Sequence, residues 1–559
     1  MKDAVTLSVP GHVFWGLMTL AGLLALSGLI VLALPRAGTR AADRPAWMIR
    51  LGLGDMPRAL VWTGILGWSI LVLSLLIGLF GTIWAAIINL VPAPGAEVAW
   101  RVTLITLAGL TATLGAVIAL PFTLLRTHFS RRQTEATEQG LITDRINTAV
   151  QALGTDKEVN EHLTNDQGEK LYHERDGAAG ELDFKRPVMV TTTRPNLEVR
   201  IGAILALERL ARQNLDFHVQ IMEILCAYVR ENAPASSATP DPDLFESLDA
   251  LPKEDRTGED GTPIPPHALW GEVRKRNAKT LATWKADLPA TRTDILTALQ
   301  VISRRDADQR RTEAKHIRKD GEYVFDRDPP DYADNTDPKT YREKAGAYRE
   351  ALHAYPGYRP DLRNTNLQGV DLAHFDLRGL RFDGARMQGA DLWGAQMQGA
   401  DLQEARVQGA NLRGARMQGA VLRGAQMQGA VLRGARMQGA DLWVAQMQGA
   451  DLWWAEMQGA DLGGARMQGA DLGWAQMDEY TDLTAAVLRG AGVRSVDDKT
   501  ITQLRPFWAD VFAYGSVPVA ADDPDRPDHW PPQDLDPAAF YQKWRAWQAT
   551  LPAGRDRSD

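Results

Sequence analysis

The sequence predicts a multi-domain chain: N-terminal transmembrane α-helices, a cytoplasmic α-helical domain, and a four-sided β-solenoid with a C-terminal cap. Three observations lead there. Val13–Leu34, Leu60–Val91 and Val102–Leu125 contain no Asp, Glu, Lys, Arg or His. Helical periodicity of apolar residues fills much of 139–354. From Leu362 a strict five-residue repeat begins and runs for over a hundred residues. These features divide the chain into a membrane anchor (1–130), a helical domain with polar insertions (131–355), the solenoid (356–495) and a Trp/Pro-rich cap (496–559).

The 559 residues suffice for three or four domains. A net charge of −8 gives no reason to expect nucleic-acid binding. The single cysteine, Cys226, has no intramolecular disulfide partner, which suits a reducing compartment. Its apolar helical context reads as a small core residue.

Each apolar run meets the roughly 20 residues needed to cross a bilayer. The first lacks the basic start and small-residue cleavage site of a signal peptide, so it reads as an uncleaved span. Trp62, Trp68, Trp84 and Trp100 read as interface anchors. The first loop carries Arg36, Arg40, Arg44, Arg50 and Arg58, and Arg126, Arg131 and Arg132 follow the third span. The short second loop has none until Arg101. The positive-inside rule then places the N-terminus outside and the later domains in the cytoplasm. Conduction usually needs ionisable groups within the membrane, and the spans have none, so they read as an anchor.

In the middle segment, Ile142, Ile146, Ala149 and Leu153 share one helical face. A polar excursion over about 155–196 holds a Gly-rich turn between two short strands. Residues 197–232 then give two amphipathic helices, one lined by Ile201, Leu205 and Leu210, the other by Val219, Met222, Leu225, Cys226 and Val229. Asn214 or Asp216 is the expected N-cap between them. Residues 233–267 read as a linker. Leu269, Val273, Leu281 and Trp284 mark a helix over 267–288. A further helix at 293–303 is capped by Thr293 and Asp294, and a last one lies near 338–354. His218 beside Glu223 lacks metal-ligand spacing and reads as a surface or core histidine. With no phosphate loop and no nucleophile elbow, the sequence offers no catalytic, cofactor or metal site, and a non-enzymatic chain is expected.

The five-residue period fits neither a helix nor a plain strand. Its centres fall at Leu362, Leu367 and Leu372, then every fifth residue to Met477, which makes 24 units. The register slips by one residue before Leu483, Leu488 and Val493. Each centre and the small residue two places earlier must both point inward, as alternate strand residues do. The other positions face solvent or form a corner, where glycine tolerates positive φ. Four units would close one turn, with turns stacked about 4.8 Å apart.

Units such as Ala390–Gly394 and Ala410–Gly414 resemble the pentapeptide-repeat family, with its Ala-(Asp/Asn)-Leu-x-x pattern. The resemblance covers about 360–495 and implies a right-handed quadrilateral β-helix. The layout as a whole resembles uncharacterised bacterial membrane-anchored proteins of this kind, which implies a multi-pass protein of the bacterial inner membrane.

With four units per turn, two opposite walls carry Leu centres and two carry Met centres. The Leu walls are expected to expose Asp371, Asp391, Asn411, Asp451 and Asp471. The Met walls are expected to expose a ladder of stacked amides, from Gln388, Gln398, Gln408 and Gln418 to Gln468. Trp393, Trp443, Trp453, Trp454 and Trp474 form a candidate partner-contact patch on the Leu walls. Phe540, Trp544 and Trp547 lie on one face of a C-terminal helix that caps the solenoid.

The expected function is a membrane-anchored scaffold with a protein partner, and self-association is left open. The alternatives are a gyrase-binding DNA mimic, as the resemblance implies for some members, or a membrane effector that forms a pore. Residues 361–478 hold 13 acids against 11 arginines, which makes a poor duplex mimic.

Overall fold

The computed structural model describes residues 58–88, 97–165, 167–174, 176, 182–240, 279–330, 338–513, 517–520, 522–533, 535–548 and 550. The expected first span, its basic loop, and Leu269 and Val273 lie outside the described residues. The chain divides into two compact units at Thr143/Asp144.

The described residues of the first unit form two helices, α1 (Arg58–Ile88) and the start of α2 (Glu97–Leu153). Val61–Ile88 and Trp100–Ala119 are long and apolar enough to cross a membrane. Trp62, Leu66, Leu73, Ile77 and Phe80 lie exposed along one face of α1, and no charged residue follows Arg58 in it, so the helix is apolar all round. A polar contact links the pair. Pro121 lacks the N–H that would bond the carbonyl of Val117 one turn back. Trp68 fills that vacancy, its indole N–H donating to Val117 at 3.1 Å. Trp68, read from the sequence as an interface anchor, turns its indole onto the neighbouring helix.

In the second unit, Ile146, Ala149 and Leu153 at the end of α2 are buried, as their spacing predicts. The excursion is a long β-ribbon rather than two short strands. β1 (Asp156–His162) pairs antiparallel with β4 (Met189–Pro195), and β2 (Tyr172–Glu174) with β3 (Leu182–Pro187). Its base is held by buried Arg200, which donates to Thr155 O at 3.0 Å, Asp156 at 2.6 Å and Asn232 at 3.0 Å.

Helices α3 (Leu197–Gln213) and α4 (His218–Asn232) form the expected hairpin, packed with α5 (Thr293–Ser303). The α4 face is as expected. On α3 the buried stripe is Ala203, Ile204, Leu207, Leu210 and Ala211, while Leu205 is exposed. Apolar residues nearly encircle this helix, and contact with α4 and α5 selects the face. Neither Asn214 nor Asp216 caps α4, whose N-cap position is Phe217 without a side-chain bond. Asp294 accepts from Tyr228 and Arg292, both at 2.5 Å, rather than serving as a cap.

His218 is a core residue, and its partner is Glu313 on α6 (Ala307–Lys315) rather than Glu223. Glu313 bonds His218 at 2.9 Å and Arg305 at 3.0 Å, with all three side chains buried. This charged knot faces the start of the solenoid. Arg305 donates to Arg378 O at 3.3 Å, Arg310 to Asp376 at 3.2 Å, and Ala235 N–H to Asn364 O at 2.7 Å. Cys226 is buried in the same region, and burial pushes its thiol up to about 12. It therefore stays a protonated thiol at physiological pH.

Up to the register slip, each unit of the solenoid bridges in parallel to the unit twenty residues on, as in Asp371 with Asp391 and Asp391 with Asn411. Four units therefore close a turn. Leu, Met and Ala of the repeat are essentially inaccessible to solvent. At each corner the N–H of the third residue after a centre bonds the centre's carbonyl, as Ala390 does to Met387 at 3.1 Å. That turn needs positive φ at its third residue, and Gly389 supplies it at 64°. The register slip is absorbed by a buried Asp478–Thr481 turn, in which Asp478 accepts from Gly459 N–H at 2.8 Å and Thr481 Oγ1 at 3.0 Å. After it the bridges run Asp461 to Asp482 and Asp471 to Gly492.

Two expectations about the first unit can be measured. Trp68→Phe should lower the stability of the full chain in detergent by about 1 kcal/mol. In a Pro121→Ala background the same substitution should cost much less, because alanine at that position restores the backbone bond. Equal losses in both backgrounds would show that the indole is not filling the proline vacancy.

Candidate interaction surface

The solenoid is square, and its four edges differ. The edge after the first Met wall carries Gly369, Gly389 and Gly409, and the edge after the second carries Gly379, Gly399, Gly419 and Gly439. Ten residues is half a turn, so these edges are diagonally opposite. Over these coils both are covered by the chain's own segments, whereas Gly449, further along the first edge, is open. Helical residues 279–287 bring Leu281 against Gly409 and Trp284 against Gly389. On the other edge, Phe325 meets Gly399, while Leu352 and Tyr348 of α7 (Pro338–His353) meet Gly419. A Cβ on Gly409 would overlap Leu281, and one on Gly399 would overlap Phe325. Gly399 and Gly419 thus serve twice, in the turn and in the close approach of Phe325 and Leu352.

The glutamines correct the expectation of an exposed amide ladder. Gln388, Gln398, Gln418, Gln428, Gln448 and Gln468 are buried. Gln408 donates obliquely to Gln426 at 2.7 Å and Gln428 to Gln446 at 2.7 Å, each acceptor lying just before a centre of the next coil. The Met walls are packing surfaces for much of their length.

The Leu walls and the edges that follow them are the open surfaces. Here the five tryptophans separate. Trp443 follows Leu442, on the wall opposite Leu392, Leu452 and Leu472, and packs between Arg423 at 5.9 Å and the face of Gly463. Trp393 lies on the same wall as Trp453, three coils earlier, tilted against His374 at 4.6 Å. Trp453 is sandwiched by Arg433 at 5.2 Å and Arg494 at 5.1 Å. Only Trp454 and Trp474 form an exposed pair, stacked at 4.6 Å and 6° between ring planes. They occupy the corner positions of Gly394, Gly414 and Gly434, with φ of 60° and 57°. The single expected patch is therefore a stacked pair on one edge, with Trp453 beside it and Trp443 on the far wall.

The outward acids are ladder elements. Asn411 donates to Asp391 at 2.9 Å, Arg423 to Asp441 at 2.5 Å and Arg433 to Asp451 at 2.6 Å, each linking one coil to the next. Asp441, Asp451 and Asp471 are buried. Near the end of the rod the cap completes the ladder. Tyr541 of α8 (Pro537–Gln548) donates to Asp471 at 2.6 Å, and Arg494 lies over the rings of Phe540 and Tyr541. Burial, then the neighbouring Asp471 carboxylate, push the Tyr541 hydroxyl up to about 12.

The cap helix packs as its sequence pattern predicts. Asp536 accepts from Ala539 N–H at 2.8 Å, and Phe540, Trp544 and Trp547 are buried with Phe512. Trp544 lies against Gly492 and donates to Gly490 O at 3.0 Å. His529 stacks on Trp547 at 4.6 Å and bonds Val511 O at 2.8 Å. Among the described residues no cluster of His, Cys, Asp or Glu could hold a metal ion.

These features define a four-sided β-solenoid protein with an attached helical domain. The sequence pattern described as Pentapeptide repeats matches eight copies, over residues 365–403, 405–443 and 445–479. That match makes residues 365–479 a run of pentapeptide repeats. Among solved structures it is similar to a pentapeptide repeat protein from Nostoc PCC 7120, at 28% identity over 20% of this chain and 79% of that one, TM-score 0.15. Another is a pentapeptide repeat protein from the Arabidopsis thaliana thylakoid lumen, at 24% identity over 20% and 76%, TM-score 0.14. A third is QnrB1, a plasmid-mediated fluoroquinolone resistance protein, at 20% identity over 24% and 74%, TM-score 0.14. No curated protein matches the chain in sequence.

Two measurements follow for the cap. Tyr541→Phe strips a donor from buried Asp471 and should cost about 1–2 kcal/mol of stability. Burial holds the His529 imidazole below the ordinary histidine range. The unfolded chain then binds the proton more readily, so the contribution is complete at neutral pH and declines as pH falls below about 6.5. Cap melting followed by tryptophan fluorescence should drop between pH 7.5 and 5.5, and His529→Gln should flatten that drop.

Proposed function

We propose that the chain is a membrane-anchored, non-enzymatic scaffold that presents the open walls of its solenoid to a protein partner. In this reading residues 1–130 are the tether, 131–355 a cytoplasmic domain, 356–495 the display surface and 496–559 its cap. The two described apolar helices support the tether, and the arginines of the first loop support a cytoplasmic location at a bacterial inner membrane, with the N-terminus outside.

The observation that carries the interaction reading is the Trp454–Trp474 pair. A non-glycine residue in left-handed backbone costs roughly 1–2 kcal/mol. Both side chains remain substantially exposed, at 45% and 39%. Folding alone favours glycine there, as at Gly414 and Gly434. Strain held at an exposed site with large rigid aromatics fits a contact surface, since such residues supply much of the energy of protein interfaces. The near balance of acids and arginines along the rod favours a protein partner over mimicry of duplex DNA.

The test restores the repeat's own residue. Trp454→Gly with Trp474→Gly should leave the melting temperature of the full chain unchanged or slightly raised. The same double variant should lose a partner that the wild-type chain retains in cross-linked membranes. Trp443→Ala, on the opposite wall, should keep it. Retention by the double variant, or no stoichiometric partner for wild type, would remove the edge from the proposal.

A further inference from the structure

The β-ribbon has two open edges of different character. A two-stranded ribbon is marginal alone in water, and a third or fourth strand stabilises it. Strand β1 carries Asp156, Lys157, Glu158 and Glu161, the kind of charge that guards an edge. Strand β4 reads Met-Val-Thr-Thr-Thr-Arg-Pro, with no carboxylate, and four of its seven residues are β-branched. Among the described residues it pairs with β1 alone.

The backbone of β4 shows which groups face outward. At the two ends of the ribbon, Leu163 N–H bonds Val188 O at 2.8 Å and Asn196 N–H bonds Thr155 O at 3.1 Å. The register between them sets Glu161 opposite Val190, Val159 opposite Thr192 and Lys157 opposite Arg194. By the alternation of an antiparallel ladder, Val190, Thr192 and Arg194 direct their N–H and C=O toward β1. Met189, Thr191 and Thr193 direct theirs away, as an unguarded row of donors and acceptors.

We infer that a second copy of this chain occupies that edge, β4 against β4 about a two-fold axis, giving a four-stranded antiparallel sheet. The pairing is self-complementary when centred on Thr191. Thr191 then faces Thr191 of the other copy and Met189 faces Thr193, so every outward donor meets an outward acceptor. Pro195, which has no N–H to give, stays outside this register. Val190 faces Thr192 between the hydrogen-bonded pairs, and exposed Met189 and Val190 lose solvent contact, at 49% and 39% exposure. No carboxylate meets a carboxylate. The same operation on β1 would crowd its acids, which argues for β4 as the paired edge. The polar knot of Arg200, Asp156 and Asn232 fixes the base of the ribbon, so the edge is presented by an anchored element.

The test uses the full chain in mild detergent. Light scattering should give twice the chain mass at micromolar concentration. Thr191→Cys should form a disulfide-linked dimer on mild oxidation, because Cα atoms of a hydrogen-bonded antiparallel pair lie about 5.5 Å apart, within disulfide reach. Native Cys226 is buried and will not compete. Glu158→Cys, on the β1 edge, should not cross-link. Thr193→Pro removes an outward N–H and no bond to β1, and should convert the dimer to monomer over the same concentrations. Thr193→Val keeps that N–H and should remain dimeric, which separates edge pairing from misfolding. A monomeric wild type, equal cross-linking at 158 and 191, or attachment of the Thr191→Cys variant to a different protein through its new thiol would each overturn the inference.

Discussion

Coil-to-coil backbone hydrogen bonding is the constraint on which the solenoid depends. Leu372 N–H bonds Asp391 O at 2.7 Å, Asp391 N–H bonds Val370 O at 2.9 Å, and the pattern recurs along the rod. Such a ladder brings neighbouring coils to about 4.8 Å. It leaves no freedom in what stacks on what, because position i must lie over position i + 20. Side-chain identity every twenty residues then decides whether a column is an ion-pair ladder, an aromatic stack or a bare strip. Arg433, Trp453 and Arg494 form an alternating column for this reason, and Trp454 over Trp474 is the same rule applied to a corner.

The ladder also explains how the rod joins its neighbours. A wall of parallel coils has unpaired backbone at both ends, and both ends are closed. At the start, Ala235 bonds Asn364 O and Arg359 donates to Gly379 O at 2.6 Å and Gly399 O at 2.8 Å. At the finish, β5 (Ala491–Gly492) pairs in parallel with β6 (Val511–Phe512), and the cap helix lies over both. Along the sides, two diagonal glycine edges accept the helical domain's apolar side chains. Packing along those edges leaves the Leu walls and the remaining edges open.

Much of this was legible in the sequence. The five-residue period, the inward pair at each unit, the four-unit turn and the one-residue slip before Leu483 all follow from spacing alone. So does the cap helix, because Asp536, Pro537 and the Phe540–Trp544–Trp547 stripe carry local signals. The separation of Trp443 from Trp453 was also available, since ten residues is half a turn. The burial of the glutamines was not. Beside Gln398 and Gln418 it goes with Phe325 and Leu352, which pack at the adjoining glycines, lie far from those repeats in sequence and carry no mark of where they dock. The buried face of α3 was hidden for a related reason, because Ile201 and Leu205 compete with Ile204 and Leu207 on hydrophobicity.

The sequence by itself determined the backbone of the rod. A repeat with small and large apolar residues at fixed spacing and glycine at the turn has one low-energy way to bury its interior and pair its amides. Tertiary structure alone decided which surfaces remain open, which partner His218 takes, and that Trp68 meets the carbonyl left free by Pro121. Those outcomes rest on contacts between residues distant in the chain. Their energies come from shape and desolvation at the contact, which no local pattern encodes.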